Sequence, residues 1–492
     1  MSDRNTRRAG LNYTVGIVLA LLGAIVMYAE RIVLVRKMDI VYAGFNSLFE
    51  NSFLILSAFD IGVTTYLMNY LLSAVKDGKE NEIRSSVRTV GRYCRIASLI
   101  ILSLGLLASL FMPLLSGEES WRIPLLFVIY LLGQLGQYIF GQRVLLLSAM
   151  QRNWVVSVFV QTGRIAGELL ALFIILRTQN YFLYISAISA LTFLTYFLIY
   201  LKTGHDYPYL KVKDGKKDEG ERIGRNILGM TFHRGSFVFY RSLEPVLVSV
   251  LFGAAVAGLY SNYLLVTSAF LTPFWIYEST VTPTVTLKYL GGTEEENLAL
   301  YKRSVYFNFI LSLLASLLAL VVYSPYITLS FGENYLLGTS YDALFAFLVF
   351  LSSFRTTAIV FRDAAGIYSR DWKKAVAEVL TALVLSLVLS RFMGLMGIPV
   401  AFTASYILVV LWRENRTVLE SALGDDKWDF CAEEAFLMAL GLSVIVAVWY
   451  VTEEMTAFCR VLTAFVGWAL TVALWLLLFP SARKSIFRGK KK

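Results

Sequence analysis

Charged side chains at positions that should lie in lipid are the residues of this chain most suited to chemistry. Arg31, Arg234, Arg241 and Arg355 fall inside, or at the ends of, long apolar stretches. A charge at the centre of a bilayer costs about 2.5–3.5 kcal/mol on insertion scales, so it faces a partner or a wet cavity. The guanidinium group is planar, permanently charged and matched to phosphate oxygens. A cavity lined by Arg31, Arg241 and Arg355 would therefore suit a pyrophosphate. Carboxylates form a second set: Glu50, Asp60, Glu168 and Glu278 are candidates to exchange a coupling proton or a cation such as Na+. Amides form a third, with Asn46, Gln134 and Asn262 on polar stripes that imply a hydrated cavity and are candidates to bind substrate there. Spacing supports shared faces. Asn46, Glu50, Ser57, Asp60 and Thr64 follow a helical stripe, and Arg234 and Arg241 are seven apart. The competing reading is that these groups only tie helices together. Arg164 with Glu168 (i, i+4) and Arg241 with Glu244 (i, i+3) have the spacing for such local pairs.

The elements that must hold these residues follow from composition. Of 492 residues, 57% are hydrophobic and 16% charged, with a mean hydropathy of +0.63. Soluble domains average about 25% charged residues. The chain is expected to be an all-α polytopic membrane protein. Counting stretches near the roughly 20 residues needed to cross hydrocarbon gives fourteen spans, from 11–34 to 457–479. The net charge of +10 tests this count. With the N-terminus in the cytoplasm, 33 of the 45 Lys and Arg fall in cytoplasmic segments and five in external ones. That asymmetry orients the chain with both termini inside. External loops are short, and the longest cytoplasmic loop is a mixed-charge connector.

This connector divides the expected architecture. Residues 1–203 form an N-lobe of six spans, 204–225 the linker, 226–415 a C-lobe of six, and 416–492 two further spans with a basic tail. An internal repeat supports two lobes. Gly44 and Ser47 open the second span, and Gly258 and Ser261 open the eighth, each pair 214 residues apart. Each opening follows a long helix, and the helix it begins ends at a charged cytoplasmic loop. The repeats share orientation, the parallel arrangement used by some transporters.

Several classes are disfavoured by what the chain lacks. There is no G-x-x-x-x-G-K-[ST], H-E-x-x-H or G-x-S-x-G motif, so neither an ATPase nor a common hydrolase is indicated. Cys94, Cys431 and Cys459 are isolated, and only His205 and His233 occur, so no metal site and no cofactor are expected. The first apolar stretch is too long for a cleaved signal, and no small-residue cleavage site follows it.

Several segments together resemble a known family. They are Glu30-Arg31 with Gly44-Phe45 and the stretch Ser57–Gly62, then Leu147–Gln151. Two more follow: His233-Arg234-Gly235 with Gly258–Tyr263, and Arg362–Tyr368 with Gly394 to Gly397 beyond. The chain resembles the Wzx-type polysaccharide flippases of the MATE-like exporter superfamily, relatives of the MurJ-type lipid II flippases. The likeness spans most of 12–415. It implies two pseudo-symmetric six-helix lobes around a V-shaped cavity, with spans 13 and 14 outside. It also implies alternating-access export of an undecaprenyl-pyrophosphate-linked oligosaccharide to the outer leaflet, for cell-surface polysaccharide biosynthesis, with no enzymatic step. Partners would be the lipid-linked glycan, membrane lipids and the pathway's polymerase and glycosyltransferases, with no nucleic acid. The location would be a bacterial or archaeal plasma membrane. Two alternatives stay open: a cation-coupled small-molecule antiporter of the same superfamily, and a membrane glycan polymerase.

Overall fold

The computed structural model describes the backbone of residues 2–58, 60–77, 80–211, 224–366, 372–410, 418, 428–480 and 483; side chains are described within these, except 2–17, 20, 21, 61–63, 65, 66, 69, 77, 211, 224–237, 372, 373, 375, 410, 428, 429 and 457. The described residues form helices and no strand. Helix starts carry local chemical reasons. The Asp39 carboxylate accepts from the Val41 N–H at 2.9 Å and caps α2 (Ile40–Ser57). Asn180 accepts from Leu183 N–H at 3.2 Å and caps α9 (Tyr181–Asp206). Thr293 and Glu296 form a reciprocal capping box at the head of α11 (Glu294–Ser330).

Each of the fourteen expected spans coincides with helical structure, though several are broken or merged. The first is α1 (Ser2–Lys37). The second is α2 followed by α3 (Asp60–Asp77). The third is α4 (Glu80–Ser109), followed by the short α5 (Met112–Ser116). The fourth breaks at Phe140 into α6 (Arg122–Ile139) and α7 (Gly141–Ala149). The fifth and sixth are α8 (Asn153–Thr178) and α9. The seventh and eighth run together as α10 (Gly224–Gly291), bent at Gly253. Gly253 has φ +85 and ψ 169, a backbone state that a side chain would strain, so one glycine replaces a loop. The tenth span divides at Arg355 into α12 (Thr339–Phe354) and α13 (Thr356–Ala365). The eleventh and twelfth are α14 (Trp372–Met393) and α15 (Gly397–Ser405), the latter continued by a π-helical turn, Tyr406–Val410. The last two are α16 (Trp428–Thr452) and α17 (Ala457–Leu478). By length and composition, ten helical stretches among the described residues are apolar enough to cross a membrane, so the chain is a multi-pass membrane protein.

The chain divides into two compact units, Met1–Gly258 and Leu259–Lys492, with α10 passing from one to the other. In unit 1 the rings of Phe49, Phe127 and Tyr130 pack between α2 and α6. There the sequence repeat becomes a physical contact. A methyl group on Gly44 would overlap the carbonyl oxygen of Ala254, and one on Gly258 would overlap that of Ile40. The contact is reciprocal because Ile40 and Ala254 are also 214 apart. Nearby, the Ser249 hydroxyl donates to the Leu115 carbonyl at 2.9 Å.

In unit 2 the core runs along α11. Tyr301, Tyr306, Phe309, Phe350, Phe430 and Trp475 are buried in one cluster. The C-terminal pair α16 and α17 is tied to α11 by polar bonds as well as by rings. Tyr301 donates to Glu434 at 2.9 Å, Tyr306 to Glu433 at 2.8 Å, and the Trp468 indole N–H to the Ile310 carbonyl at 3.0 Å.

Candidate functional site

The cap at Asp39 sets the phase of α2 so that Asn46 and Glu50, one turn apart, share a face. The cap at Asn180 does the same for Tyr181 and Tyr184 on α9. These elements meet in unit 1. Tyr181 donates its hydroxyl to Asn46 Oδ1 at 2.7 Å, and Asn46 Nδ2 donates to the Tyr184 hydroxyl at 2.8 Å. The Tyr184 hydroxyl is bonded in turn to the buried carboxylate of Glu30. The two tyrosine rings stack at 5.3 Å between centroids.

Charges surround this chain of bonds. Arg31 on α1 donates from Nη1 to the Ala43 carbonyl at 3.2 Å and lies within electrostatic reach of Glu30 and Glu50. Arg241 on α10 is exposed and also within reach of Glu50, which is itself exposed. The Tyr130 hydroxyl is bonded to Gln134 and faces the charge of Glu50. Of the expected site residues, unit 1 thus gathers Arg31, Asn46, Glu50, Gln134 and Arg241. The cluster is balanced, with two guanidinium groups set against the carboxylates of Glu30 and Glu50.

A second carboxylate lies beside the first. Arg164 Nε donates to Glu168 Oε1 at 2.8 Å, the i, i+4 pair expected from the sequence. Glu168 Oε2 and Glu30 Oε1 are buried without a hydrogen-bond partner among the described residues, and the two charges are within mutual reach. Asp60 is elsewhere on α3, buried and accepting from Thr64 at 2.8 Å.

The remaining expected residues lie apart from this cluster. Arg234 is on α10, but its side chain falls outside the described residues. Asn262 is completely buried in unit 2. Glu278 is half-buried on the later part of α10. Arg355 is expected in mid-helix, and the structure places it at the break between α12 and α13. Its Nη1 donates to Glu378 Oε1 at 3.0 Å in a pair whose side chains are 9% and 6% exposed. Asn308 donates to the Ser353 and Phe354 carbonyls, both at 2.9 Å, and so satisfies oxygens that the break releases.

Glu30, Tyr130, Tyr181 and Tyr184 stand outside the site expected from the sequence. The i, i+3 pair Tyr181 and Tyr184 at the head of a span is the readable signal. Tyrosine at a helix start reads equally as a membrane-interface anchor, which conceals the role.

These helices define a MATE-like all-α membrane fold. The chain is similar to a solved structure of the lipid II flippase MurJ in an inward closed conformation, with a TM-score of 0.67 and 12% identity over 96% of this chain and 99% of that one. It is similar to an inward-facing multidrug resistance MATE family transporter of the MOP superfamily, with a TM-score of 0.63 and 12% identity over 84% and 99%. A point mutant of the Vibrio cholerae MATE transporter VcmN matches with a TM-score of 0.55 and 12% identity over 86% and 98%. No family model matches the chain, and no curated protein matches it.

Proposed function

We propose that the protein is a flippase that moves a polyprenyl-pyrophosphate-linked oligosaccharide from the cytoplasmic to the outer leaflet. The observation that carries this reading is Glu50, exposed and set against both Arg31 and Arg241. A pyrophosphate headgroup cannot cross hydrocarbon unaided, whereas a polyprenyl tail stays in lipid beside the protein. In this reading a cation such as Na+ at Glu50 offsets the charge that faces the two guanidinium groups, which then take the pyrophosphate, and Asn46 and Gln134 would bond sugar hydroxyls. Return of the Glu50 charge then expels the anion. The fold shared with the lipid II flippase supports the reading.

The test is flipping of a fluorescent polyprenyl-pyrophosphate glycan in liposomes holding the purified protein. Arg31→Ala and Arg241→Ala should each slow flipping while leaving membrane insertion intact. Glu50→Gln should flip with little dependence on Na+. Full activity in both arginine variants would remove the reading.

A cation-coupled small-molecule antiporter is the second reading. The partnerless oxygens of Glu30 and Glu168 favour it, since a buried acid pair suits a cation. Efflux of a cationic dye from the same liposomes, lost in Glu30→Gln, would select it.

A further inference from the structure

Unit 1 holds another charged centre, beyond the break that ends α6. Arg143 lies on α7, just past the break at Phe140, and is 6% exposed. Its Nε and Nη1 are buried and donate to nothing among the described residues. Its guanidinium carbon sits 5.1 Å from the centroid of the Tyr200 ring on α9. Tyr209, in the 3-10 turn Pro208–Lys211 that follows α9, is also within electrostatic reach. The acid at the end of α9, Asp206, is held by Lys202 at 2.7 Å. Helix α4 crosses α7 where Gly91 meets Gln142 and Gly141 meets Cys94, which puts the exposed Arg92 and Arg95 beside the crossing.

A guanidinium group cannot shed its charge by losing a proton, so a buried one needs a counter-charge. The Tyr200 ring attracts the cation and its hydroxyl is within hydrogen-bond reach of the guanidinium, but Nε and Nη1 still find no acceptor among the described residues. Snorkelling does not explain the residue, because a snorkelling arginine keeps its head in water and this one is covered. A buried donor without a protein partner is costly, and binding an acceptor from outside the chain removes that cost. Glu80 is within reach of Tyr209 and Asp60 within reach of Cys94, but neither carboxylate accepts from the two partnerless N–H groups, so an anion is the group that would satisfy them.

We infer that Arg143, with Tyr200 and Tyr209, holds a phosphate group. Both free N–H groups can donate to phosphate oxygens, and the tyrosine hydroxyls can add one bond each. The source is a lipid headgroup or free pyrophosphate. The sequence-derived orientation puts the site on the cytoplasmic side, where it would receive the substrate's phosphate before the Glu50 cluster does. Only that ordering rests on the proposed function.

The full-length protein in neutral detergent, free of phosphate, provides the test. Inorganic pyrophosphate binding is read by titration calorimetry, and phosphatidylglycerol retention by native mass spectrometry. The wild type should bind one or both. Arg143→Gln should weaken binding about tenfold, with Arg143→Lys and Tyr200→Phe intermediate. Without phosphate, Arg143→Gln should unfold at or above the wild-type temperature, because it removes an uncompensated charge. Binding of pyrophosphate alone identifies a free anion, and retention of phosphatidylglycerol alone identifies a headgroup. Equal binding by wild type and Arg143→Gln, or by neither, overturns the site. So does an Arg143→Gln variant destabilised without phosphate and indifferent to it. If Arg143→Gln does not fold, the Lys and Phe variants decide by the same comparison. Loss of flipping with intact phosphate binding would remove the proposed function and leave this site standing.

Discussion

Arg355 and Glu378 show how much a buried charge depends on its partner. Their pairing offsets the cost of removing both from water, so removing one side leaves the other exposed to the full penalty. Glu378→Ala is expected to lower stability by about 3–5 kcal/mol, read as thermal unfolding in detergent. The double replacement Arg355→Met with Glu378→Leu should recover most of that loss. Equal damage in single and double variants would show that the charge is not the issue. Asn46 gives the opposite case. Hydrogen bonds between membrane helices average only about 0.6 kcal/mol. Asn46→Ala should therefore barely move the unfolding temperature, although both amide ends are occupied. If flipping nevertheless falls by about tenfold or more, the residue acts on substrate and not as glue, since about 1.4 kcal/mol of barrier is needed for that factor.

Helix elements were the most readable level of the sequence, and their breaks the least. Apolar length located the helical stretches, ten of which, among the described residues, are long and apolar enough to cross a bilayer. Local periodicity found the Arg164–Glu168 pair, since i, i+4 neighbours are fixed by helix geometry. It could not find Glu378 for Arg355, 23 residues away on another helix. Nor could it find the break at Arg355, because the Asn308 amide that satisfies the freed carbonyls comes from α11. The glycine spacing of 214 was visible; that the two glycines meet each other's repeat partner was not. This contact predicts a matched pair of defects. Gly44→Val and Gly258→Val each force a side chain into a backbone carbonyl. Each should cost on the order of 1–3 kcal/mol, the range for overpacking, and by similar amounts in thermal unfolding. A large loss in one and none in the other would mean the crossing is not shared equally.

At the scale of the molecule, the distribution of Lys and Arg predicts an orientation that can be checked without any substrate. In a variant with Cys94, Cys431 and Cys459 replaced, a cysteine at Ser120 should react with a membrane-impermeant maleimide on intact cells. A cysteine at Lys216 should react only after the membrane is opened. The reverse pattern would invert every loop. The bonds from Tyr301 and Tyr306 to α16 make a further statement at this scale: the last two helices are part of unit 2's core and not loose additions. Tyr301→Phe, which leaves the buried Glu434 short of a donor, should cost about 1–3 kcal/mol.

Most helix pairs are cogged, because ridges of side chains sit in grooves and fix the angle at which the axes cross. At Gly44 and Gly258 the cogs are missing, and each helix presents bare backbone to a carbonyl of the other. Such a seat resists sliding, since the oxygen has nowhere to go, but it places little restraint on rotation. It has the mechanical character of a bearing, made of two matching halves 214 residues apart.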